Sequence, residues 1–168
     1  MKKKLILLLV SIIVLTSIDL VTKSIATSVL KGKPSISVIE GFWNFEYVEN
    51  QNIAFSIGSQ IPGGVKQYLI IGVEIAALIF LGWFFFKSPK TKLTLVSIIL
   101  IGSGAFGNLI DRVINGHVVD FVHWFYKGFS WPVFNVADAY VTVGMFILIF
   151  EFIFSPHYKE QQNNEKMD

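Results

Sequence analysis

The chain has 168 residues, of which 53% are hydrophobic and 15% are charged, whereas an ordinary soluble domain carries about 25% charged residues. The formal net charge of +2 is too small to suggest a nucleic-acid partner, and the absence of cysteine excludes disulfides, thiolate metal sites, a cysteine nucleophile and a lipidated cysteine of its own. The apolar residues are concentrated in blocks, which predicts a protein that crosses a membrane several times.

The first apolar block follows a basic start, residues 1–4, and predicts a spanning helix over about residues 5–25. The same pattern is typical of a cleaved signal peptide, but no small-x-small cleavage site follows the block, and the later apolar blocks keep the protein in the membrane anyway. Asp19 and Lys23 lie at i and i+4 near the outer end of this helix and therefore share a face. Two interpretations stay open for them, a local ion pair or a direct role in a site.

Residues 34–64 are less apolar and contain several glycines and prolines, which predicts a region outside the membrane. Within it, residues 42–48 partly alternate, with aromatic side chains on one side and polar ones on the other. This period of two predicts short antiparallel strands whose aromatic face suits the membrane interface. The polar cluster that follows, residues 49–52, predicts a turn.

The second span is predicted over about residues 67–86, a length that crosses a hydrocarbon core of about 30 Å. It contains Glu74, and an unpaired carboxylate is costly in lipid. We therefore expect Glu74 to be protonated or to face other helices, and to serve in structural pairing rather than in catalysis.

The third span is predicted over about residues 93–110 and contains Gly102-Ser103-Gly104-Ala105-Phe106-Gly107. This matches the dinucleotide-binding pattern G-x-G-x-x-G, but a membrane helix lacks the βαβ context, so small residues at a close helix–helix contact explain it better. Asn108, Asp111 and Arg112 share one face at the outer end of the helix, where Asp111 and Arg112 could also pair with each other.

A segment rich in aromatic residues, about residues 112–132, leads to the fourth span, which is predicted over about residues 133–154. We expect the segment to be an interfacial loop or short amphipathic helix, or else a lid with Gly128 as its hinge. Asn135 and Asp138 lie at i and i+3 in the first turn of the fourth span, so both point inward from the outer leaflet.

Basic residues favour cytoplasmic N- and C-termini, with the polar tail, residues 157–168, also in the cytoplasm. The sequence therefore predicts an all-α membrane protein with a single domain over residues 1–168. Its four transmembrane helices carry a small antiparallel β-sheet and an interfacial loop or helix on the outer face.

Asp120 and Asp138 are the candidate catalytic pair, because the outer helix ends bring the polar residues together there. Two close carboxylates cannot both ionise cheaply, so one keeps a proton. The charged acid can take a proton from a water that attacks a carbonyl, while the protonated acid bonds the carbonyl oxygen and later helps protonate the leaving amine. This needs no metal or cofactor, and histidines 117, 123 and 157 have no zinc-binding spacing. Two alternatives stay open: a proton-coupled membrane transporter, and a catalytically silent membrane scaffold.

Five segments resemble, in order, the five motifs of the lipoprotein signal peptidases (signal peptidase II). They are Asp19-Leu20-Val21-Thr22-Lys23, Asn50-Gln51-Asn52-Ile53-Ala54-Phe55, Gly107-Asn108-Leu109-Ile110-Asp111-Arg112, Val118-Val119-Asp120-Phe121 and Phe134-Asn135-Val136-Ala137-Asp138. The resemblance implies an aspartyl endopeptidase of the bacterial inner membrane, with Asp120 and Asp138 as its catalytic dyad. The supporting and substrate-binding residues that it implies are Asp19, Lys23, Asn50, Ala54, Asn108, Asp111, Arg112, Asn135 and Ala137.

The resemblance also implies the partners of the protein. Such enzymes cut prolipoproteins on the N-terminal side of a diacylglyceryl-modified cysteine, work among membrane lipids and are inhibited by the cyclic peptide globomycin. We further expect a monomer with its site near the periplasmic interface. Two residues depart from the family pattern: Asn52 replaces a usual glycine, although asparagine tolerates a left-handed backbone, and Ala139 replaces a frequent serine. Residues 50–64 are a second candidate for a lid.

Overall fold

The computed structural model describes residues 2–51, 63–88 and 91–155, so the predicted polar tail lies outside the described residues. Four helices form the bundle: α1 (Lys2–Leu30), α2 (Gly63–Lys87), α3 (Lys92–Asn115) and α4 (Val136–Phe154). All four are long and apolar enough to cross a membrane. The predicted architecture, four membrane helices with a small antiparallel sheet, is confirmed.

Two helices continue beyond the ends expected from hydrophobicity, which were residue 25 for α1 and residue 110 for α3. Polar side chains near both helix ends are buried in the bundle: Asp111, in the added turns of α3, is 6% exposed, and Lys23, just before the expected end of α1, is 2% exposed. The helix ends are set by local caps. Thr91 accepts a hydrogen bond from the N–H of Thr94 at the start of α3, and Gly116 ends α3 in a left-handed conformation with φ of 78°.

The strands form one antiparallel sheet at the end of the bundle where α1 and α3 terminate, which we call the sheet end. In spatial and chain order they are β1 (Ile36–Ile39), β2 (Trp43–Asn50), β3 (Val118–Tyr126) and β4 (Phe129–Ser130). In the pairing of β2 with β3, Val48 lies opposite Asp120, and the register shifts between Phe45 and Val48. Such a bulge bends the strand and re-aims its side chains.

The connection between α3 and α4 differs from the expected interfacial loop or helix over residues 112–132. It forms a hairpin, in which Lys127 and Gly128 join β3 to β4 with positive φ angles of 46° and 86°. Two left-handed residues are what a tight two-residue hairpin requires, so Gly128 is a turn residue. The valines and aromatic residues of β3 favour a strand, but its partner β2 is far away in the sequence, so the local pattern did not reveal the pairing.

Helix α3 lies at the centre of the bundle and packs against α1, α2 and α4. Its small residues make this possible, because a Cβ on Gly104 would collide with the carbonyl oxygen of Ala137, and a Cβ on Gly107 would collide with the Asp19 carboxylate. On α4, Gly144 similarly meets the backbone of Ser97. The glycine pattern is therefore a helix–helix contact, as the sequence indicated.

Two clusters of buried apolar side chains hold the ends of the bundle. Leu8, Leu81, Phe85 and Ile98 join α1, α2 and α3 away from the sheet, whereas Ala26, Leu30 and Phe121 pack the end of α1 against β3. At the end opposite the sheet, Glu151 of α4 accepts hydrogen bonds from the hydroxyls of Thr91 and Thr94 at the start of α3. These contacts fix the position of α4 along the axis of α3, and therefore also the position of the first turn of α4 relative to α3.

Candidate active site

Asp138 is held in the first turn of α4 by a capping box. The side-chain oxygen of Asn135 accepts a hydrogen bond from the N–H of Asp138 at 2.9 Å, and the N–H of Asn135 donates to Asp138 Oδ2 at 3.1 Å. The other oxygen, Oδ1, receives Asn108 Nδ2 at 2.9 Å. The helix N-terminus adds a positive partial charge beside this carboxyl group.

Asp120 lies on β3 of the sheet and is 1% exposed. Its Oδ1 accepts a hydrogen bond from Asn135 Nδ2 at 2.6 Å, and its Oδ2 accepts one from Asn50 Nδ2 at 2.8 Å. Burial, together with the nearby charge of Asp138, raises the pKa of the Asp120 carboxyl from 3.8 to about 7, although the amides of Asn50 and Asn135 oppose the rise. At neutral pH this acid therefore readily retains a proton.

The two candidate acids share one amide residue as a partner. Asn135 donates to Asp120 through its side chain and to Asp138 through its backbone, so a single residue fixes both carboxyl groups. Its orientation is unambiguous, because the N–H of Asp138 can only donate and must face the amide oxygen. The structure thus brings Asp120 and Asp138 together at the sheet end, as the sequence predicted for their positions.

A buried lysine fixes the second amide. Lys23 Nζ lies 2.9 Å from Asp19 Oδ2 and 3.1 Å from Asp111 Oδ2, and it donates to Asn108 Oδ1 at 2.9 Å. Because an ammonium group can only donate, the amide oxygen of Asn108 must face Lys23 and its NH₂ group must face Asp138. Asp19 and Lys23 form the local ion pair that their spacing indicated, and this pair also lies in the network around the acids.

The remaining implied residues support the same framework. The N–H of Ala137, which is fully buried, donates to Asp19 Oδ1 at 2.8 Å and so connects the start of α4 to α1. Asp111 accepts a 3.4 Å hydrogen bond from the N–H of Val119, one residue before Asp120. Ala54 lies outside the described residues.

Arg112 forms an ion pair with Glu74 of α2, so Glu74 has the structural pairing that the sequence indicated. Gln67, which the sequence did not single out, donates from Nε2 to the carbonyl oxygen of Arg112 at 3.1 Å. A signal for it existed, since Gln67 and Glu74 are seven residues apart and share a face of α2. Among the described residues, no group of three or more acidic or histidine side chains is placed to hold a metal ion.

Comparison with known proteins gives a consistent result. The sequence model of the family described as "Signal peptidase (SPase) II" matches residues 11–154. The chain is 35% identical over 151 residues to the lipoprotein signal peptidase of Sulfurihydrogenibium sp., covering 89% of this chain and 92% of the relative. It is 37% identical over 153 residues to the lipoprotein signal peptidase of Acinetobacter baylyi, covering 90% and 84%. A solved bacterial membrane enzyme superimposes with a TM-score of 0.77 at 32% identity, covering 88% of this chain and 93% of that one.

Proposed function

The chain belongs to the signal peptidase II family, and on that premise we propose that it cuts bacterial prolipoproteins on the N-terminal side of a diacylglyceryl-modified cysteine. The family makes it an aspartic-type peptidase of a bacterial membrane, and Asp120 and Asp138 are its proposed catalytic dyad. The observation that carries this assignment is the single residue Asn135, which is hydrogen-bonded to both carboxyl groups.

The two acids have different proposed roles because their surroundings differ. Asp138 receives a backbone N–H and an amide NH₂ group at a helix N-terminus, so both of its oxygens are held by fixed donors. Asp120 is more deeply enclosed, and burial raises its pKa to about 7. Asp138 is therefore the proposed base, and Asp120 is the acid that carries the shared proton.

The proposed reaction is the addition of water to the peptide carbonyl. Asp138 takes a proton from the water as its oxygen attacks the carbonyl carbon, while protonated Asp120 hydrogen-bonds the developing oxyanion. The tetrahedral intermediate then collapses, the C–N bond breaks, and the leaving amine receives a proton from the dyad. The products are the carboxylate of the signal peptide and the free amino group of the lipid-modified cysteine. The amides of Asn50, Asn108 and Asn135 hold the two acids in place without adding charge.

We place the sheet end of the bundle at the outer face of the bacterial inner membrane, with both termini in the cytoplasm. Basic residues at the start of α1 and around the α2–α3 connection support this orientation. The exposed aromatic residues of the hairpin, Trp124, Tyr126 and Phe129, suit an interface with lipid headgroups. The proposed partners are lipid-modified prolipoproteins, membrane lipid and inhibitors of the globomycin type, and the proposed working form is a monomer.

Substitution of each acid tests the assignment. We expect Asp120→Asn and Asp138→Asn each to lower the cleavage rate of a diacylglyceryl-modified prolipoprotein at least 1,000-fold, because general acid–base catalysis and activation of the water are both lost. Cleavage is measured with purified protein in lipid vesicles, and thermal unfolding shows whether each variant is folded. Glu40→Gln, in the exposed turn between β1 and β2, is the matched control and should cleave normally. A folded variant of either aspartate that retains substantial cleavage would exclude the dyad.

The transporter alternative has less support from the arrangement of the acids. Glu151, the buried acid of α4, accepts hydrogen bonds from the N-cap hydroxyl of Thr91 and from the hydroxyl of Thr94 at the end opposite the sheet. It therefore acts as part of a helix cap and not as the next step of a proton path from Asp138.

A further inference from the structure

Helix α2 contacts Arg112 at two points. Gln67 donates a hydrogen bond to the Arg112 carbonyl oxygen, and Glu74, two helical turns further along the same face, pairs with the Arg112 guanidinium. Both side chains of the pair are largely buried, with Arg112 10% and Glu74 19% exposed. An ion pair held inside the membrane in this way is costly to build, which indicates a function.

The direction of the Arg112 side chain takes its charge back along α3, away from the sheet end. Side chains on a helix lean toward its N-terminus, and α3 runs toward the sheet end, so the side chain of Arg112 points back into the bundle. Asn108 lies one turn earlier on the same face and donates to Asp138. The guanidinium therefore lies near the level of the Asn108 amide.

The charge of Glu74 acts on more than its direct partner. It interacts electrostatically with Lys23 of α1 and Asp138 of α4 as well as with Arg112 of α3. Its second oxygen, Oε2, is buried without a hydrogen-bond partner among the described residues, so this part of its negative charge is poorly screened. Among the residues that the structure describes, Asp19, Asp111 and Asp120 are further acidic groups of this network.

We propose that Glu74 is a positioning residue for the peptidase reaction, which holds the Arg112 guanidinium at the level of the Asn108 amide and shifts to higher pH the range in which the two aspartates share one proton. The inference rests on the proposed function, because it requires Asp120 and Asp138 to be the catalytic pair. Glu74 lies on α2, outside the five segments that resemble the family motifs. The proposed substrate-binding role of Arg112 then depends on a helix that contributes no residue to the dyad.

Two substitutions of Glu74 separate its charge from its contact. Glu74→Gln keeps an oxygen for Arg112 but removes a negative charge that interacts with Asp138 of the coupled pair, so both limbs of the pH–rate profile should move to lower pH by roughly half a unit to one unit. Glu74→Ala also releases the guanidinium, so KM should rise about tenfold in addition. Glu74→Asp restores the charge and should return the profile to the wild-type position.

Gln67→Met is the matched control, because it removes the other contact of α2 with Arg112 without any change in charge. It should lower the unfolding temperature but leave the pH–rate profile in place. Cleavage of a lipid-modified prolipoprotein by the full chain in vesicles is measured between pH 5 and 9. A Glu74→Gln profile that superimposes on the wild-type profile would overturn the inference while leaving the dyad intact. Folded Asp120→Asn and Asp138→Asn variants that remain active would instead overturn the proposed function.

Discussion

At the scale of single residues, each of the four oxygens of Asp120 and Asp138 meets an N–H donor. The donors are the side chains of Asn50, Asn108 and Asn135 and the backbone of Asn135. Amide donors fix the direction of a carboxyl group and stabilise its charge. Unlike an adjacent lysine or arginine, they do not neutralise that charge. The buried cation Lys23 donates to the intervening amide of Asn108 and also interacts electrostatically with Asp120. This arrangement lets one acid hold a proton while the other remains charged.

The pKa of Asp120 predicts how the stability of the protein depends on pH. Because burial raises this pKa from 3.8 to about 7, the folded protein keeps the proton over a range in which the unfolded chain loses it. The folded state then binds more protons, so the free energy of unfolding falls as pH rises from about 4 to about 7 and the contribution is constant above that. The loss is on the order of a few kcal/mol for a shift of this size.

Asp120→Asn should remove this dependence. The unfolding temperatures of the variant and of the wild type are measured in detergent micelles. The difference, variant minus wild type, is expected to increase as pH rises from 4 to 7 and to be constant below and above this range. The pH dependence of the difference is the test, because an asparagine also changes the hydrogen bonds to Asn50 and Asn135. Glu40→Gln should show no comparable trend, and a flat difference for Asp120→Asn would contradict the assignment of its pKa.

At the scale of elements, α3 positions the site because glycines on its surface let α1 and α4 approach its backbone closely. Gly104 faces the carbonyl oxygen of Ala137 on α4, and Gly107 faces the Asp19 carboxylate on α1. These contacts lie within two turns of Asn108, so the distance between the helices sets the distance between the amides and the acids. Close approach of backbones through small residues is typical of helix packing in membranes.

Gly104→Ala should therefore weaken both stability and activity. Its new Cβ meets backbone rather than a flexible side chain, so α4 must shift, and we expect a loss of about 1–3 kcal/mol in the free energy of unfolding. The shift also displaces Asp138, and a displacement of about 1 Å at a reacting group is enough to slow cleavage about 100-fold.

Gly72→Ala on α2 is the control for this change, because a Cβ there has nothing within 4 Å. It should unfold at the wild-type temperature or slightly above it, since alanine favours a helix over glycine. Thermal unfolding and prolipoprotein cleavage are measured for both variants. Equal behaviour of Gly104→Ala and Gly72→Ala would show that close packing at α3 does not position the site.

At the scale of the whole molecule, the sequence predicted the membrane helices well because each depends on one local property, a long apolar block. Long-range pairings were less accessible. The strand β3 pairs with a segment far away in the sequence, and the partners of Asp111 and Arg112 depend on how the helices are rotated against each other. Residues at i and i+1 point in different directions on a helix, so Asp111 reaches Lys23 of α1 while Arg112 reaches Glu74 of α2. Hydrophobic periodicity alone does not determine these rotations.

The orientation of the whole molecule can be tested directly, because the chain contains no cysteine of its own. Glu40→Cys places a thiol in an exposed turn at the sheet end, and Lys92→Cys places one at the exposed start of α3, at the opposite end. A dyad that acts on exported substrates must open to the outer face, and basic residues favour the cytoplasmic side for the start of α3. A membrane-impermeant maleimide should therefore label Glu40→Cys in intact spheroplasts and Lys92→Cys only in inverted vesicles. The reverse pattern, in variants that still cleave prolipoprotein, would require the bundle to be turned over and the acids to face the cytoplasm.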